Sequence, residues 1–464
     1  MSDRSHSKQN MASATSPFLS PPQIVSSVPA LPGLPILGNL LQFRRDRLGI
    51  YDEAAEVGPI TRFKILHVPL YAVCDADIAH EVLVTQAGVF KKSAALQFLA
   101  PLLGEGLLTS EGEVHKKHRK LLAPAFAPKR LAAYGTVMVE ETKRQLATWR
   151  KGKQLDIATE MMEMTLAIAG KTMFGADVRG DAKTVAVGLD LAMHSMLASI
   201  TSPIPLGYEW PLPRHLQMRR AVKLLDSVIY RLIAEGRARG TDQGDVLSML
   251  LLARDEGDGT GLTDTQVRDE AMTLLLAGHE TTANTLTWTW YELGKNPAAL
   301  ARLEEELHTV LGGRTVTTDD LPNLPWTAAV LDEAMRLHPP AYQTGREATE
   351  DVTLGDHRFP KRSIVIINIR GIHRRPDYFA QPLAFRPERM LPEVKKARPR
   401  HHYLPFGAGP RVCIGQHFAL MEAQLCLATM VQAARVRPLP SHVPPEPLVT
   451  LRPKGGLPAI VELK

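Results

Sequence analysis

Cysteine is scarce in this chain: the three present, Cys74, Cys413 and Cys426, stand far apart. So few and so dispersed, they exclude a disulfide framework and a paired redox motif, and they suit a reducing, cytoplasmic setting. Aromatic residues make up only 6% and interleave with no basic run, which argues against nucleic acid as a partner despite a net charge of +6. No uninterrupted apolar stretch approaches the roughly 18 residues of a membrane span. The polar, Ser-rich start, residues 1–20, also lacks the apolar core of a signal peptide. A soluble protein without a transmembrane anchor is expected. No glycine-rich fingerprint follows a strand, so the chain carries no nicotinamide or flavin site of its own.

What is present is ordinary globular composition, 44% hydrophobic and 22% charged, enough for a large core. A length of 464 residues argues by itself for two or three domains, unless a large cofactor sustains a single one. Residues 1–28 read as a flexible tail, and Pro29, Pro32, Gly33 and Pro35 as a stiff extended segment after it. Strand-like runs cover residues 60–66 and 70–74. Amphipathic helices then fill residues 75–256, broken at Pro124, Gly175 and the stretch from Pro203 to Pro213. A long helix starts at Thr263, with Gln266 at capping-box spacing, runs to Leu293 and stops at Gly294 before Pro297. Its apolar run is interrupted by Ala277-Gly278-His279-Glu280-Thr281-Thr282. Another helix, Trp326 to Leu337, ends at Pro339-Pro340 because a residue before proline is pushed out of the helical region. A β-rich segment follows, with residues 363–369 as its clearest strand.

The strongest chemical signal is Phe406-Gly407-Ala408-Gly409-Pro410-Arg411-Val412-Cys413-Ile414-Gly415. Glycines and a proline shape a tight loop, and a helix pattern begins after Gly415. A cysteine there feels the helix dipole and free backbone N–H groups, which favour the thiolate, the form that binds iron. Phe406, Gly409, Arg411, Cys413 and Gly415 meet each position of the haem-binding signature of the cytochrome P-450 superfamily, which the chain resembles from about Leu31 to its C-terminal strands. Two further motifs in the family's order support the resemblance. Glu333 and Arg336 form a Glu-x-x-Arg pair on one helix face, followed by Arg389 in Pro387-Glu388-Arg389. Ala277 to Thr282 match the family's acid-alcohol pattern in the long helix.

The resemblance implies a mainly α fold with a smaller β-rich subdomain (α+β), residues 29–464 forming one domain around haem b. Cys413 is implied as the axial ligand of the haem iron, with Phe406, Gly407, Arg411, Gly415, Ala277 and Gly278 also around the cofactor. Arg411, Arg119, Arg346 and His115 would meet the propionates; many members of the family carry tryptophan where His115 stands. Glu333, Arg336 and Arg389 would form a structural triad behind the haem. Thr281 would steady the activated oxygen while Glu280 supplies protons, since splitting dioxygen in a dry site requires a positioned acid and hydroxyl. An isolated helical threonine usually bonds back to its own carbonyl; the neighbouring acid and glycine argue for more here.

By the same resemblance the chain is a monomeric monooxygenase, hydroxylating or epoxidising a lipophilic substrate such as a fatty acid, terpenoid or steroid. Electrons would pass from NAD(P)H through a ferredoxin or flavodoxin and its reductase, docking on Lys395, Lys396, Arg398 and Arg400 together with residues 116–120. Phe98, Leu102, Met196, Ile200, Ala277, Ala341 and Tyr342 are expected to line an apolar pocket. The competing readings are a haem-thiolate peroxygenase or isomerase, which needs no acid-alcohol pair, and a haem sensor or electron carrier without turnover.

Overall fold

Apolar residues recurring with helical period dominate from residue 112 onward. The computed structural model, which describes residues 23–202, 208, 210–254, 259–439 and 441–464, turns them into packed helices beside a smaller β-rich side, an α+β fold. The principal helices are α1 (Gly112–Leu122), α2 (Pro128–Leu146), α3 (Ile157–Phe174), α4 (Ala182–Ile200), α5 (Pro213–Arg239), α6 (Asp264–Lys295), α7 (Pro325–Leu337) and α8 (Gln416–Ala433). The spine is α6, 32 residues and about 48 Å long. Its start is the expected capping box: Thr263 Oγ1 accepts from the Gln266 N–H, and the Gln266 side chain accepts from the Thr263 N–H.

Gly294 does not end the helix. The helix runs on to Lys295 and stops at Asn296, ahead of Pro297. A Cβ at residue 294 would overlap the Pro438 ring, so this glycine serves close packing rather than termination. Along its length α6 packs on α3, α5, α7 and α8, which is why its apolar residues lie all round. Leu275, Leu286, Trp288 and Trp290 of α6 share one core with Ile168 of α3 and Leu425 of α8.

The main sheet holds β1 (Ile60–Ile65), β2 (Val68–Val73), β3 (Phe90–Lys92), β4 (Thr344–Ala348) and β5 (Ile364–Ile367), in the order β1-β2-β5-β4-β3. β1 and β2 form a hairpin, β2 runs parallel to β5, and β4 is antiparallel to both β5 and β3. β5 is buried throughout, because apolar clusters cover both of its faces. A hairpin of β6 (Pro445–Pro447) and β7 (Leu451–Pro453) lays its tip against α6.

Of the expected tail, residues 1–22 lie outside the described residues. Residues 24–28 do not behave as a tail: Val25 and Val28 are buried, the Val25 N–H donates to Tyr71 Oη (3.0 Å), and Arg62 donates to the Val25 carbonyl (3.1 Å). The packed chain therefore begins before residue 29, since this apolar pair covers a sheet face that would otherwise meet water. Within the breaker stretch expected from Pro203, residues 203–207 and 209 lie outside the described residues.

Candidate active site

The cysteine loop is closed by one backbone bond, Cys413 N–H to the Phe406 carbonyl at 3.0 Å. Gly407 and Gly409 have φ of +69° and +70°, in the left-handed region that favours glycine. At Gly409 a Cβ would also overlap the Leu83 carbonyl oxygen. Gly415 is the N-cap of α8, and no side-chain cap bond closes that helix end. The Cys413 side chain is accessible, yet the protein packed around it pushes the thiol up, while the Gly415 N–H and Arg119 pull it down.

Strand register assembles the next part. Lys92 on β3 lies directly opposite Arg346 on β4, and like charges so placed oppose strand pairing. Arg411 joins them from the cysteine loop, donating to Glu111 Oε2 (2.8 Å) and to the Phe90 carbonyl (2.9 Å). Glu111 also accepts from the Lys92 N–H at 2.5 Å. His115 of α1 is buried nearby, and Arg119, one turn further, donates to the Val412 carbonyl at 2.8 Å. Burial holds Lys92 down to about 8 and Arg346, with Arg411 beside it, to about 10. Burial and the Lys92 charge hold His115 to about 4, so it faces the group as a neutral N–H donor.

Of these three cations Arg411 is paired with Glu111, the buried Lys92 ammonium donates to the Leu107 (2.9 Å) and Ser110 (2.7 Å) carbonyls, and the buried Arg346 faces no carboxylate within bonding distance among the described residues. Buried charge in such excess calls for anionic partners. The two propionates of a haem supply them, so this donor set fits the cofactor that the cysteine loop implies. Lys92 and Glu111 escaped the sequence reading because only the pairing register sets Lys92 against Arg346.

Behind the loop, Glu333 and Arg336 are buried completely, with Arg336 Nε and Nη2 each 2.8 Å from a carboxylate oxygen. Arg336 also donates to the carbonyls of His373 (2.8 Å) and Pro382 (2.7 Å), and the Arg386 N–H donates to Glu333 at 2.9 Å. Arg389 Nε reaches Glu333 at 3.3 Å. The three side chains therefore meet, tying α7 to the segment that leads into the cysteine loop.

Between residues 267 and 293 of α6 only Ala277, Gly278 and Thr281 escape burial. They make one stripe along the helix. Thr281 Oγ1 donates to the Ala277 carbonyl at 3.0 Å. Glu280 points elsewhere: it is buried, accepts from Thr450 Oγ1 on Oε1 at 2.5 Å, and leaves Oε2 without a protein partner. The carboxyl of Glu280 and the hydroxyl of Thr281 are not brought together, because successive helical residues point about 100° apart. Burial pushes Glu280 up to about 7, against the pull of Thr450 and Arg452. His279 of the same run is buried, with Nδ1 2.6 Å from the Leu275 carbonyl and burial holding it to about 4.

Comparison with known proteins follows the same line. The family model described as Cytochrome P450 matches residues 28–458. The chain belongs to the cytochrome P450 family. Its relatives include "Cyclooctatin synthase" of Streptomyces melanosporofaciens, 36% identical over 90% of this chain and 92% of that protein. "Cyclooctat-9-en-7-ol 5-monooxygenase" of the same organism is 32% identical over 95% of this chain and 96% of its own length. "Pentalenene oxygenase" of Streptomyces avermitilis is 33% identical over 90% and 93%. The P450 is a haem-dependent monooxygenase, using dioxygen and electrons from redox partners to oxygenate lipophilic substrates.

The P450 has an apolar pocket between the main sheet and α4, lined by Phe98, Met193, Met196, Leu197, Ile200 and Tyr342, with Leu448 and Val449 from the β6–β7 tip. Phe98, Met196, Ile200 and Tyr342 were expected there. Leu102 was too, but it is completely buried in the helical core, since its short helix packs against α5 and α6. Ala277 and Ala341 are also not part of this lining. Phe43, Arg47 and Tyr51, which do line it, gave no sequence signal because they belong to two helices remote in the chain, Leu40–Arg45 and Arg47–Val57.

No helix among the described residues is long and apolar enough to cross a membrane. Beside the cysteine loop, Lys395, Lys396, Arg398 and Arg400 line a surface groove with Phe406 and Val412. Two of these are also tied inward, Lys395 to Asp332 (2.5 Å) and Arg398 to the Arg389 carbonyl (2.9 Å).

Proposed function

We propose that this P450 oxygenates a terpenoid hydrocarbon or alcohol, with haem b held between the Cys413 loop and the accessible stripe of α6. The observation that carries the substrate class is the pocket itself. Its lining is largely hydrocarbon, and its two flexible methionines can adapt to a bulky apolar ligand. The names of the relatives, among them a cyclooctat-9-en-7-ol monooxygenase and a pentalenene oxygenase, support the same class.

In this reading the Cys413 thiolate would hold the haem iron, and Arg411, Arg346 and His115 would meet the propionates, with Arg119 bracing the loop through Val412. Haem, when bound, supplies the thiolate-ligated iron at which dioxygen is reduced and split. The rest is the chain's own work. Ala277 and Gly278 leave room over the cofactor, the Thr281 hydroxyl holds a water or oxygen in place, and Glu280 supplies protons from behind it. Glu333, Arg336 and Arg389 keep the loop's supporting segment fixed. Electrons from NAD(P)H arrive through a ferredoxin or flavodoxin that docks on the basic groove at Lys395, Lys396 and Arg400. We place this activity in a monomeric single domain that takes in residues 25–28 together with 29–464, in the cytoplasm, where three unpaired cysteines stay reduced.

The test has two arms. Cys413→Ala should abolish the red-shifted Soret band of the reduced carbon monoxide complex, and an unchanged band would refute the ligand assignment. In the second arm a panel of cyclic terpenes, fatty acids and steroids is titrated into the ferric protein. Terpenes should give the tightest substrate-induced Soret shift; preference for a fatty acid would overturn the substrate class.

A further inference from the structure

The acid on α6 is held by a residue from the far end of the chain. Thr450 stands at the tip of the β6–β7 hairpin, buried together with Glu280 and Asn284. Its hydroxyl accepts from Asn284 Nδ2 (3.2 Å) and lies 2.5 Å from Glu280 Oε1. An amide nitrogen cannot accept, so the one hydroxyl proton is committed to the carboxyl. The tip is anchored on both flanks. Tyr342 Oη donates to the Leu448 carbonyl (3.0 Å), the Leu451 N–H to the Pro340 carbonyl (2.9 Å), and Trp288 Nε1 to the Leu451 carbonyl (3.1 Å).

We propose that Thr450 is the positioning residue for the acid: it occupies Oε1 from a rigid tip and leaves Oε2 as the one oxygen that exchanges a proton. This rests on the proton-supplying role of Glu280 stated above. The proton leaves Oε2 for a water or hydroxyl on the Thr281 side, and the carboxylate regains one from solvent. No electrons move in this step.

Two further observations fit. Oε2 is buried and has no protein partner, so it would otherwise be costly to keep there. The charged groups facing Glu280 are Arg452, from the same hairpin, and Asp190, from α4, which pair with each other at 2.9 Å. Their opposite charges leave burial and the Thr450 bond as the main opposing influences on the carboxyl. Because the hydroxyl stabilises the ionised form, its loss should make the carboxyl hold its proton to higher pH.

The experiment uses the haem-loaded protein as wild type, Thr450→Val, Thr450→Ser and Glu280→Gln. Infrared difference spectra across a pH titration follow the protonated-carboxyl band that Glu280→Gln removes. Wild type and Thr450→Ser should titrate together, near 7, and Thr450→Val about one pH unit higher. The pH profile of coupling, product formed per electron consumed, should move in parallel. A valine variant that titrates with wild type would overturn the proposal, as would a serine variant shifted as far as valine. If the infrared shift appears but Glu280→Gln leaves rate and pH profile unchanged, the carboxyl is positioned as proposed and the proton-supplying role is what fails.

Discussion

Glu333 and Glu280 stand on two helices that pack together, α7 and α6, and neither reaches solvent. Glu333 is surrounded by donors: both near nitrogens of Arg336, the Arg386 N–H and Arg389 Nε. Glu280 has one hydroxyl and an idle oxygen. The contrast teaches how one side chain serves two ends. A buried carboxylate saturated by cations is locked and works as a strut, whereas one with a single neutral donor sits where gaining and losing a proton are both within reach. Glu422 of α8 goes further still: neither of its oxygens has a hydrogen-bond partner among the described residues, and burial pushes it up to about 8.

The contrast can be broken most forcefully at the strut. Arg336→Ala strands a buried carboxylate and should cost about 3–5 kcal/mol in chemical denaturation, with haem content falling in parallel; a loss under about 1 kcal/mol would mean that Glu333 is no more locked than Glu280. Next in size is Glu280→Gln, expected to slow product formation about 100-fold while leaving unfolding free energy within about 1 kcal/mol of wild type. A large unfolding penalty there would erase the distinction.

A smaller effect appears in pH dependence. Glu280 and Glu422 bind their protons more tightly folded than unfolded, so stability present at acid pH is lost as pH rises from the ordinary carboxyl value through about 7 and about 8 respectively. Denaturation midpoints of wild type should therefore fall across that interval, and Glu422→Gln should flatten the upper half of the decline. Smallest is Arg389→Ala, which removes the outermost donor to Glu333 and should cost about 1 kcal/mol, read from the same denaturation curves.

Much of this arrangement was legible before any coordinates. The cap at Thr263, the proline stop after Leu337 and the glycines of the cysteine loop are local matters, decided by backbone chemistry within a few residues. So was the nearness of Glu333 to Arg336, which follows from helical spacing alone. What escaped had its cause far along the chain. Leu102 reads as well for a pocket as for a core, and packing against α5 and α6 chose the core. Gly294 reads as a helix stop, yet it answers to Pro438. His279 carries a polar side chain, and the helices around α6 bury it.

The acid-alcohol pair shows where the boundary falls. Sequence adjacency placed Glu280 and Thr281 together and marked that turn of the long helix as chemical. Only the tertiary structure decided that the hydroxyl joins the accessible stripe while the carboxyl turns to Thr450. The same division runs through the whole molecule. Sequence by itself determined which residues could carry charge, bind metal or end a helix, because those are properties of single side chains and short spacings. The packing of α6 and the register of β3 against β4 decided which of them face one another, because burial and electrostatic field depend on neighbours that arrive from distant parts of the chain.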